Sequence, residues 1–157
     1  MVVMLFNKMF KKKSKTKNTN IDSNKIKNIN VDELEKSISE MANSTDFNDF
    51  QLDDFLENFF KTDKYFVLEV SRVSGGNKQY IEIIDDTLSA IIFTSRKKAN
   101  MYLNNEIEYI KNGKDGNIII TQRSPKDIFD YIIDLKENNV ERILFNYPYE
   151  WISFDIK

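Results

Sequence analysis

Histidine and cysteine are both missing from the 157 residues. Without cysteine there is no disulfide, no thiolate nucleophile and no Cys-based metal site. Without histidine the commonest general base and the commonest metal ligand are gone as well. An enzyme built on this chain would have to work with carboxylates, Lys, Ser or Tyr. Glycine (4) and proline (2) are scarce, and no glycine-rich phosphate loop is present. Long apolar runs are missing too. The opening stretch MVVMLFNKMF is interrupted at Asn7 and Lys8, far short of the about 20 apolar residues a transmembrane helix requires. Its lysines follow the apolar residues, the reverse of a secretory signal. Position 2 is Val rather than Gly, which excludes myristoylation.

What the chain does contain is an aromatic-rich apolar fraction and an uneven distribution of charge. Hydrophobic residues make up 41%, with 12 Phe, 7 Tyr and 1 Trp, enough to bury one core in a chain of this length. The net charge of −2 conceals three segments. Residues 1–30 carry eight Lys against one Asp, residues 31–63 ten acids against two Lys, and residues 64–157 are close to neutral. Such asymmetry assigns the segments different jobs: a basic flexible tail and linker (1–30), an acidic helical segment (31–63) and an α+β domain (64–157) packed with a helix over 50–61.

In the tail, Val2, Leu5, Phe6, Met9 and Phe10 follow the spacing of an apolar helix face, and Lys11, Lys12, Lys13, Lys15 and Lys17 come next. This is the pattern of a short basic amphipathic helix lying in a membrane interface. The contacts expected are Leu5, Phe6, Met9, Phe10, Lys11, Lys12 and Lys13, drawn to an anionic cytoplasmic leaflet. A disordered solubilising tail fits the same residues. Residues 14–30 show no period and read as a linker.

Farther on, Val31, Leu34, Ile38 and Met41 predict a short helix over 31–42, with Asn30 or Asp32 as its cap. Leu52, Phe55, Leu56, Phe59 and Phe60 predict a stronger one, with Asp53, Asp54 and Glu57 on its outer face. From Lys64 the period changes to two. KYFVLEVSR (64–72) and QYIEII (79–84) predict a hairpin around Gly75-Gly76, and a tight Asp85-Asp86 turn leads into LSAIIFT (88–94). Ser95 caps a helix expected to reach Lys111, with Ala99, Leu103, Ile107 and Ile110 inward and Gly113 at its end. NIIIT (117–121) reads as a short buried strand. Ser124-Pro125-Lys126-Asp127 opens a helix with Pro at its first position and capping-box spacing, its inner face being Ile128, Phe129, Ile132 and Ile133. RILFN (142–146) and WISFDI (151–156) complete the sheet. The fold class is therefore α+β, a mixed β-sheet with packed helices in the order α-β-β-β-α-β-α-β-β.

Few residues look like chemistry. Asp85 and Asp86 are adjacent, and an acidic pair in a turn is most simply solvated. Asp127, Asp130 and Asp134 form a carboxylate stripe that could attract a hard cation, but no carbonyl-bearing loop accompanies it, and it reads as a solvated helix face. Arg96-Lys97-Lys98 follows a helix start where a phosphate could sit, without a glycine approach. Tyr147, Tyr149 and Trp151 flank Pro148 in a loop. Such amphipathic rings either close the end of a core or contact a partner, and they are the expected partner-binding residues on the domain. No catalytic residue, metal ligand or cofactor is expected, nor a specific nucleic acid or small-molecule substrate.

Three stretches also resemble a known family. YIEIIDDTLSAIIFTSRKKANMYL is similar to the segment of the SseB-like family in which a strand ends in a Phe-Thr-Ser/Asp step and turns into a helix. IFDYIIDLKENNVERILFNYPYEWISFDI is similar to that family's final helix, its strand ending in Asn-Pro and its closing strand, and LDDFLENFFKTDKYFVLEV resembles its opening helix and first strand. The resemblance covers about residues 50–157. Here the Asn-Pro pair is split as Asn146-Tyr147-Pro148, and two glycines of the family pattern are missing. The family has no established enzymatic activity and is named for an effect on serine sensitivity. The resemblance thus implies a non-enzymatic interaction or adaptor domain with a protein partner, cytoplasmic or peripheral at the inner membrane face. Two other readings stay open: a soluble immunity-like protein neutralising a basic toxin or effector, and an enzyme with an unusual carboxylate or Lys site.

If residues 1–17 contact membranes, the full chain will pellet with anionic liposomes at low salt, and a chain lacking residues 1–17 will stay in the supernatant. Equal pelleting of both would remove the tail from membrane contact.

Overall fold

The structure is a computed structural model and describes residues 29–44, 48–72, 75–105 and 117–156. Its elements run α1 (Ile29–Ala42), α2 (Asp49–Lys61), β1 (Tyr65–Ser71), β2 (Asn77–Gln79), β3 (Glu82–Ile84), β4 (Thr87–Phe93), α3 (Arg96–Asn105), β5 (Asn117–Arg123), α4 (Pro125–Glu137), β6 (Arg142–Phe145) and β7 (Ile152–Asp155). The α+β class is the one expected, and the order matches closely, with one expected strand divided into β2 and β3. Leu5, Phe6, Met9, Phe10, Lys11, Lys12 and Lys13 lie outside the described residues, as do Ile107, Ile110 and Gly113.

Local chemistry starts and stops these elements. Asn48 caps α2 through a reciprocal pair: Gln51 N–H donates to Asn48 Oδ1 at 3.0 Å, and Asn48 N–H to Gln51 Oε1 at 3.0 Å. Ser124 does the same for α4 with Asp127, and Pro125 opens the helix. Helix α1 begins at Ile29. Asn30 and Asp32 therefore lie inside it rather than capping it, and Asp32 adds negative charge to its first turn, where the helix dipole favours it. Between β3 and β4 the backbone of Asp85 and Asp86 takes φ of 50° and 59°. Two consecutive left-handed residues make the hairpin turn that matches strand twist, and Asp tolerates that region better than most residues.

One seven-stranded sheet carries the fold. β1 pairs antiparallel with β5 along its whole length, from Tyr65↔Arg123 to Ser71↔Asn117. On its other side it meets β4 only at Phe66↔Phe93 and Val67↔Ile92, and then pairs with β2 from Glu69↔Gln79. β4 pairs with β3, runs parallel to β6, and β6 pairs with β7. QYIEII was expected as one strand of one hairpin, and the structure corrects this. The segment bends at Tyr80-Ile81, so its first part belongs to β1 and its second part to β4, and it fills the wedge where those strands splay. NIIIT is also corrected. It is part of a seven-residue strand at the sheet edge, half-buried rather than buried.

Helices α1, α2 and α4 cover one face of the sheet and share its larger core cluster with Tyr65, Val67, Ile92, Ile143 and Phe145. The second face carries Phe66, Leu68, Ile91, Phe93 and Leu144 under α3, with Ala99 and Tyr102. Leu144 lies opposite Ile143 and Phe145, and all three are buried, so β6 is covered on both sides as its apolar run implied. Phe55, Phe59, Tyr65, Phe145 and Phe154 form the centre of the larger cluster, with centroids 4.8–6.4 Å apart in mostly edge-to-face or tilted pairs. Burying each ring stabilises the fold by roughly 1.5–3 kcal/mol. Tyr65 also donates its hydroxyl to Phe59 O at 2.9 Å. Where α1 crosses α2, Ser37 donates to Asp54 Oδ2 at 2.5 Å and accepts from Asn58 Nδ2 at 3.0 Å, satisfying the buried polar atoms between them.

Phe55→Ala is expected to cost about 3–5 kcal/mol, through lost burial plus a cavity at the ring cluster. Phe50→Ser, at a side chain 79% exposed on the same helix, should stay within about 0.5 kcal/mol. Urea denaturation of the two variants checks the pair, and similar losses would mean that α2 does not dock through Phe55.

A polar groove between the sheet and helix α4

The apolar face of β1 changes character at its third inward position. Tyr65 and Val67 point toward the helices and are fully buried, and the next residue on that face is Glu69, 3% exposed. A carboxylate at such a position requires partners. Asn77 Nδ2 on β2 donates to Glu69 Oε2 at 3.0 Å, and Thr121 Oγ1 on β5 donates to the same oxygen at 2.8 Å. Arg123 Nη2, reaching along β5, donates to Glu69 Oε1 and forms an ion pair with it. Burial works to raise the pKa of Glu69. The hydrogen bonds from Arg123, Thr121 and Asn77 and the Arg123 charge outweigh that, holding the carboxyl below its ordinary value.

Helix α4 crosses above this cluster and leaves a cavity of about 600 Å³, lined by Glu69, Asn77, Lys78, Gln79, Ile81, Arg123, Asp127, Asp130, Tyr131, Asp134 and Asn138. Positions 127, 130, 131, 134 and 138 share one side of a 3.6-residue period, which is why a single helix supplies them all. The carboxylate stripe expected to be a plainly solvated face is thus the rim of a groove: exposed, as anticipated, but set opposite a polar floor. Asp127 is engaged at the cap, where the side-chain and backbone hydrogen bonds of Ser124 lower its pKa. Among the described residues no hydrogen bond or ion pair engages the side chains of Asp130 and Asp134, and no three His, Cys, Asp or Glu side chains are grouped to hold a metal ion.

Tyr131 joins the core to this groove. Its ring belongs to the larger apolar cluster, while its hydroxyl is buried without a hydrogen-bond partner. Burial and then the Glu69 charge push its pKa well up, with the Arg123 charge opposing, so the group is a neutral phenol at any ordinary pH. Arg123 Nε is a second buried donor without a partner. Both of these atoms are sealed from solvent, so what the arrangement offers the groove is the two unengaged carboxylates at its mouth. Glu69 is ionised and its oxygens are already occupied, which removes it as a proton donor near neutrality.

Tyr147, Tyr149 and Trp151 are elsewhere. All three are half-buried after β6, on either side of the cis Tyr147-Pro148 bond. Tyr147 and Trp151 lie edge-to-face at 5.4 Å and pack against the cluster under α3, with Tyr102 6.4 Å from Tyr147. The groove and these rings therefore occupy opposite faces of the sheet. Asp85 stays at its turn, 4.0 Å from Arg142. Arg96 stacks over the Phe66 ring at 5.4 Å, and Lys98 pairs with Glu35 at 2.8 Å.

Of the groove residues, sequence reasoning reached only the three aspartates. Glu69 was detectable as a charge at an inward position of an apolar strand, and Tyr131 as a polar ring on the inner side of α4. Arg123 is 54 residues from Glu69, and nothing local announces the pair.

No protein-family model matches this chain, and no characterised protein matches it in sequence.

Because Glu69 has a lowered pKa in the folded state, its contribution to stability is complete above the unfolded value of about 4.3 and is lost as pH falls through the folded value. Glu69→Gln should destabilise the fold at pH 7 by about 1–3 kcal/mol, since it breaks the charge pair and leaves Arg123 poorly satisfied. Urea midpoints of variant and wild type should then converge as pH drops below about 4. A gap that stays constant across that range would show that Glu69 is not held ionised by this cluster.

Proposed function

We propose that this chain is a non-enzymatic interaction domain of the SseB-like type, which grips a basic segment of a protein partner at the groove beneath α4. The observation that carries this reading is the lining of that groove. Glu69, Asp127, Asp130 and Asp134 face only Arg123 and Lys78. Such an acid-rich concavity on a rigid support attracts and orients a cationic partner. The SseB-like assignment is supported by how the two motifs of the resemblance meet: Thr94, in the Phe-Thr-Ser step, donates its N–H to Asn146 Oδ1 at 3.0 Å. Asn146 is fully buried with φ 61°, a conformation Asn adopts more readily than most residues.

In this reading the chain is cytoplasmic, and the lysines of residues 1–17 steer it toward the anionic inner membrane surface. Among the described residues, no helix is long and apolar enough to cross a membrane. The acid-lined groove also favours a second reading, a soluble immunity-like protein that neutralises a basic toxin or effector. The two differ in whether the partner keeps its activity when bound.

Affinity capture from native lysate, comparing the full chain with one lacking residues 1–17, tests the proposal. The expected result is one protein retained by both at low salt and released as ionic strength rises. Retention of membrane material by the full chain alone, with no protein held by the shortened one, would overturn it.

A further inference from the structure

The sheet ends on one side at β5, and the register of its pairing decides which backbone groups face outward there. Tyr80 N–H donates to Leu68 O at 3.0 Å, so the backbone of Leu68 is turned toward β2. In an antiparallel ladder the N–H and C=O of one residue point the same way, and those of the next residue point the opposite way. Tyr65, Val67, Glu69 and Ser71 are therefore turned toward β5, where they meet Arg123, Thr121, Ile119 and Asn117. It follows that Ile118, Ile120 and Gln122 direct their N–H and C=O groups away from β1. Among the described residues no other strand pairs with β5, and no turn or loop hydrogen bond reaches the backbone of these three. None of the seven residues of β5 is buried, whereas the first five of its neighbour β1 are.

An open edge of this kind is a template for another strand, and proteins that avoid such pairing use a lysine, a proline, a bulge or a very short strand. β7, at the opposite end of the sheet, is four residues long and carries an exposed Asp155. β5 has none of these devices from Asn117 to Gln122, its register with β1 is unbroken, and three consecutive isoleucines stand in it. Its sequence is also its own complement. When two copies of NIIITQR run antiparallel about a two-fold axis at Ile120, all seven positions pair. Ile118 then meets Gln122 of the other copy and Ile120 meets Ile120, which joins the outward-turned groups of both. Ile119 meets Thr121, a β-branched pair, and Arg123 meets Asn117, so no like charges face each other. The Arg123 side chain is held by Glu69 of its own chain. A strand rich in charge would instead set ionic side chains against Ile118, Ile119 and Ile120.

We infer that β5 is a self-association edge, at which two copies of the chain join antiparallel through the backbones of Ile118, Ile120 and Gln122 and merge their sheets into one. The contact is isologous, so it closes at two copies. It is separate from the groove, which none of these three residues lines.

The test follows the full chain by sedimentation equilibrium and by amide hydrogen exchange over a range of protein concentrations. The expected result is a monomer–dimer equilibrium. In it the amides of Ile118, Ile120 and Gln122 exchange rapidly in dilute solution and about tenfold or more slowly when concentrated. The amides of Ile119, Thr121 and Arg123, turned toward β1, should be protected at both extremes. Gln122→Pro removes an outward N–H at an exposed position without taking a bond from β1, a place where an edge strand accepts proline. It should weaken dimerisation by about tenfold or more, since each dimer loses two hydrogen bonds. Gln122→Thr keeps the N–H and should dimerise like the wild type. A chain that stays monomeric throughout, a dimer in which the three amides still exchange rapidly, or a Gln122→Pro chain that dimerises as tightly as the wild type would overturn the assignment. So would slow exchange of all three amides in the dilute monomer, because another part of the chain would then occupy the edge.

Discussion

The packing of Phe55 and Phe59 against Tyr65, Phe145 and Phe154 is the contact on which the other features rest. Through it the acidic helices become part of the core of the sheet, because α2 supplies two of the five rings and β1, β6 and β7 supply the others. Helix α1 then packs on α2, with the Ser37–Asp54–Asn58 bonds fixing the crossing, and adds Leu34, Ile38 and Met41 to the same cluster. Acids of the two helices, Asp32, Glu33, Glu40, Asp49, Asp53 and Glu57, are thereby held outward on a scaffold. The tilted and edge-to-face ring geometries add specificity to burial, since ring quadrupoles disfavour other arrangements.

The groove exists because this core stops short. Along β1 the inward positions pass from Tyr65 and Val67 to Glu69, and α4 runs above the last of these with aspartates rather than apolar residues. A fully apolar continuation would have closed the helix onto the sheet. The polar substitution keeps them apart, and the ion pair between β1 and β5 stabilises the floor of the space that results. Buried ion pairs contribute little net stability compared with apolar packing. The choice made here therefore favours a shaped polar surface over a slightly more stable interior.

How much could be read in advance follows from the range of each interaction. Caps and turns are local: Ser124-Pro125-Lys126-Asp127 announced the start of α4, Asp85-Asp86 announced a tight turn, and the period of Phe55 and Phe59 announced their inward face. The bend at Tyr80-Ile81 was illegible because it is caused by competition between two strands for one segment, and no residue within QYIEII marks it. The groove was half legible. Its aspartates stood out as a helical stripe, but what turned that stripe into a rim was Glu69 meeting Arg123 across 54 positions, together with Tyr131 placed above them. Tyr147, Tyr149 and Trp151 illustrate the converse. Their amphipathic character was plain, yet only the structure shows that two of the rings pack on the cluster under α3.

The wedge made by β2 and β3 also divides the sheet. Because β1 and β4 meet through only two residue pairs before they diverge, the sheet consists of two panels joined at a narrow seam. One panel holds β5, β1 and β2, and the other β3, β4, β6 and β7. The groove floor, from Glu69 and Asn77 to Thr121 and Arg123, belongs entirely to the first panel. Helix α4 follows β5 but buries Ile128, Ile132 and Leu135 in a cluster that includes Ile143 and Phe145 of the second. That cluster also holds Tyr65 and Val67 of the first panel, so a single core spans the seam, and the height of α4 above the groove floor is set by side chains that do not line the groove.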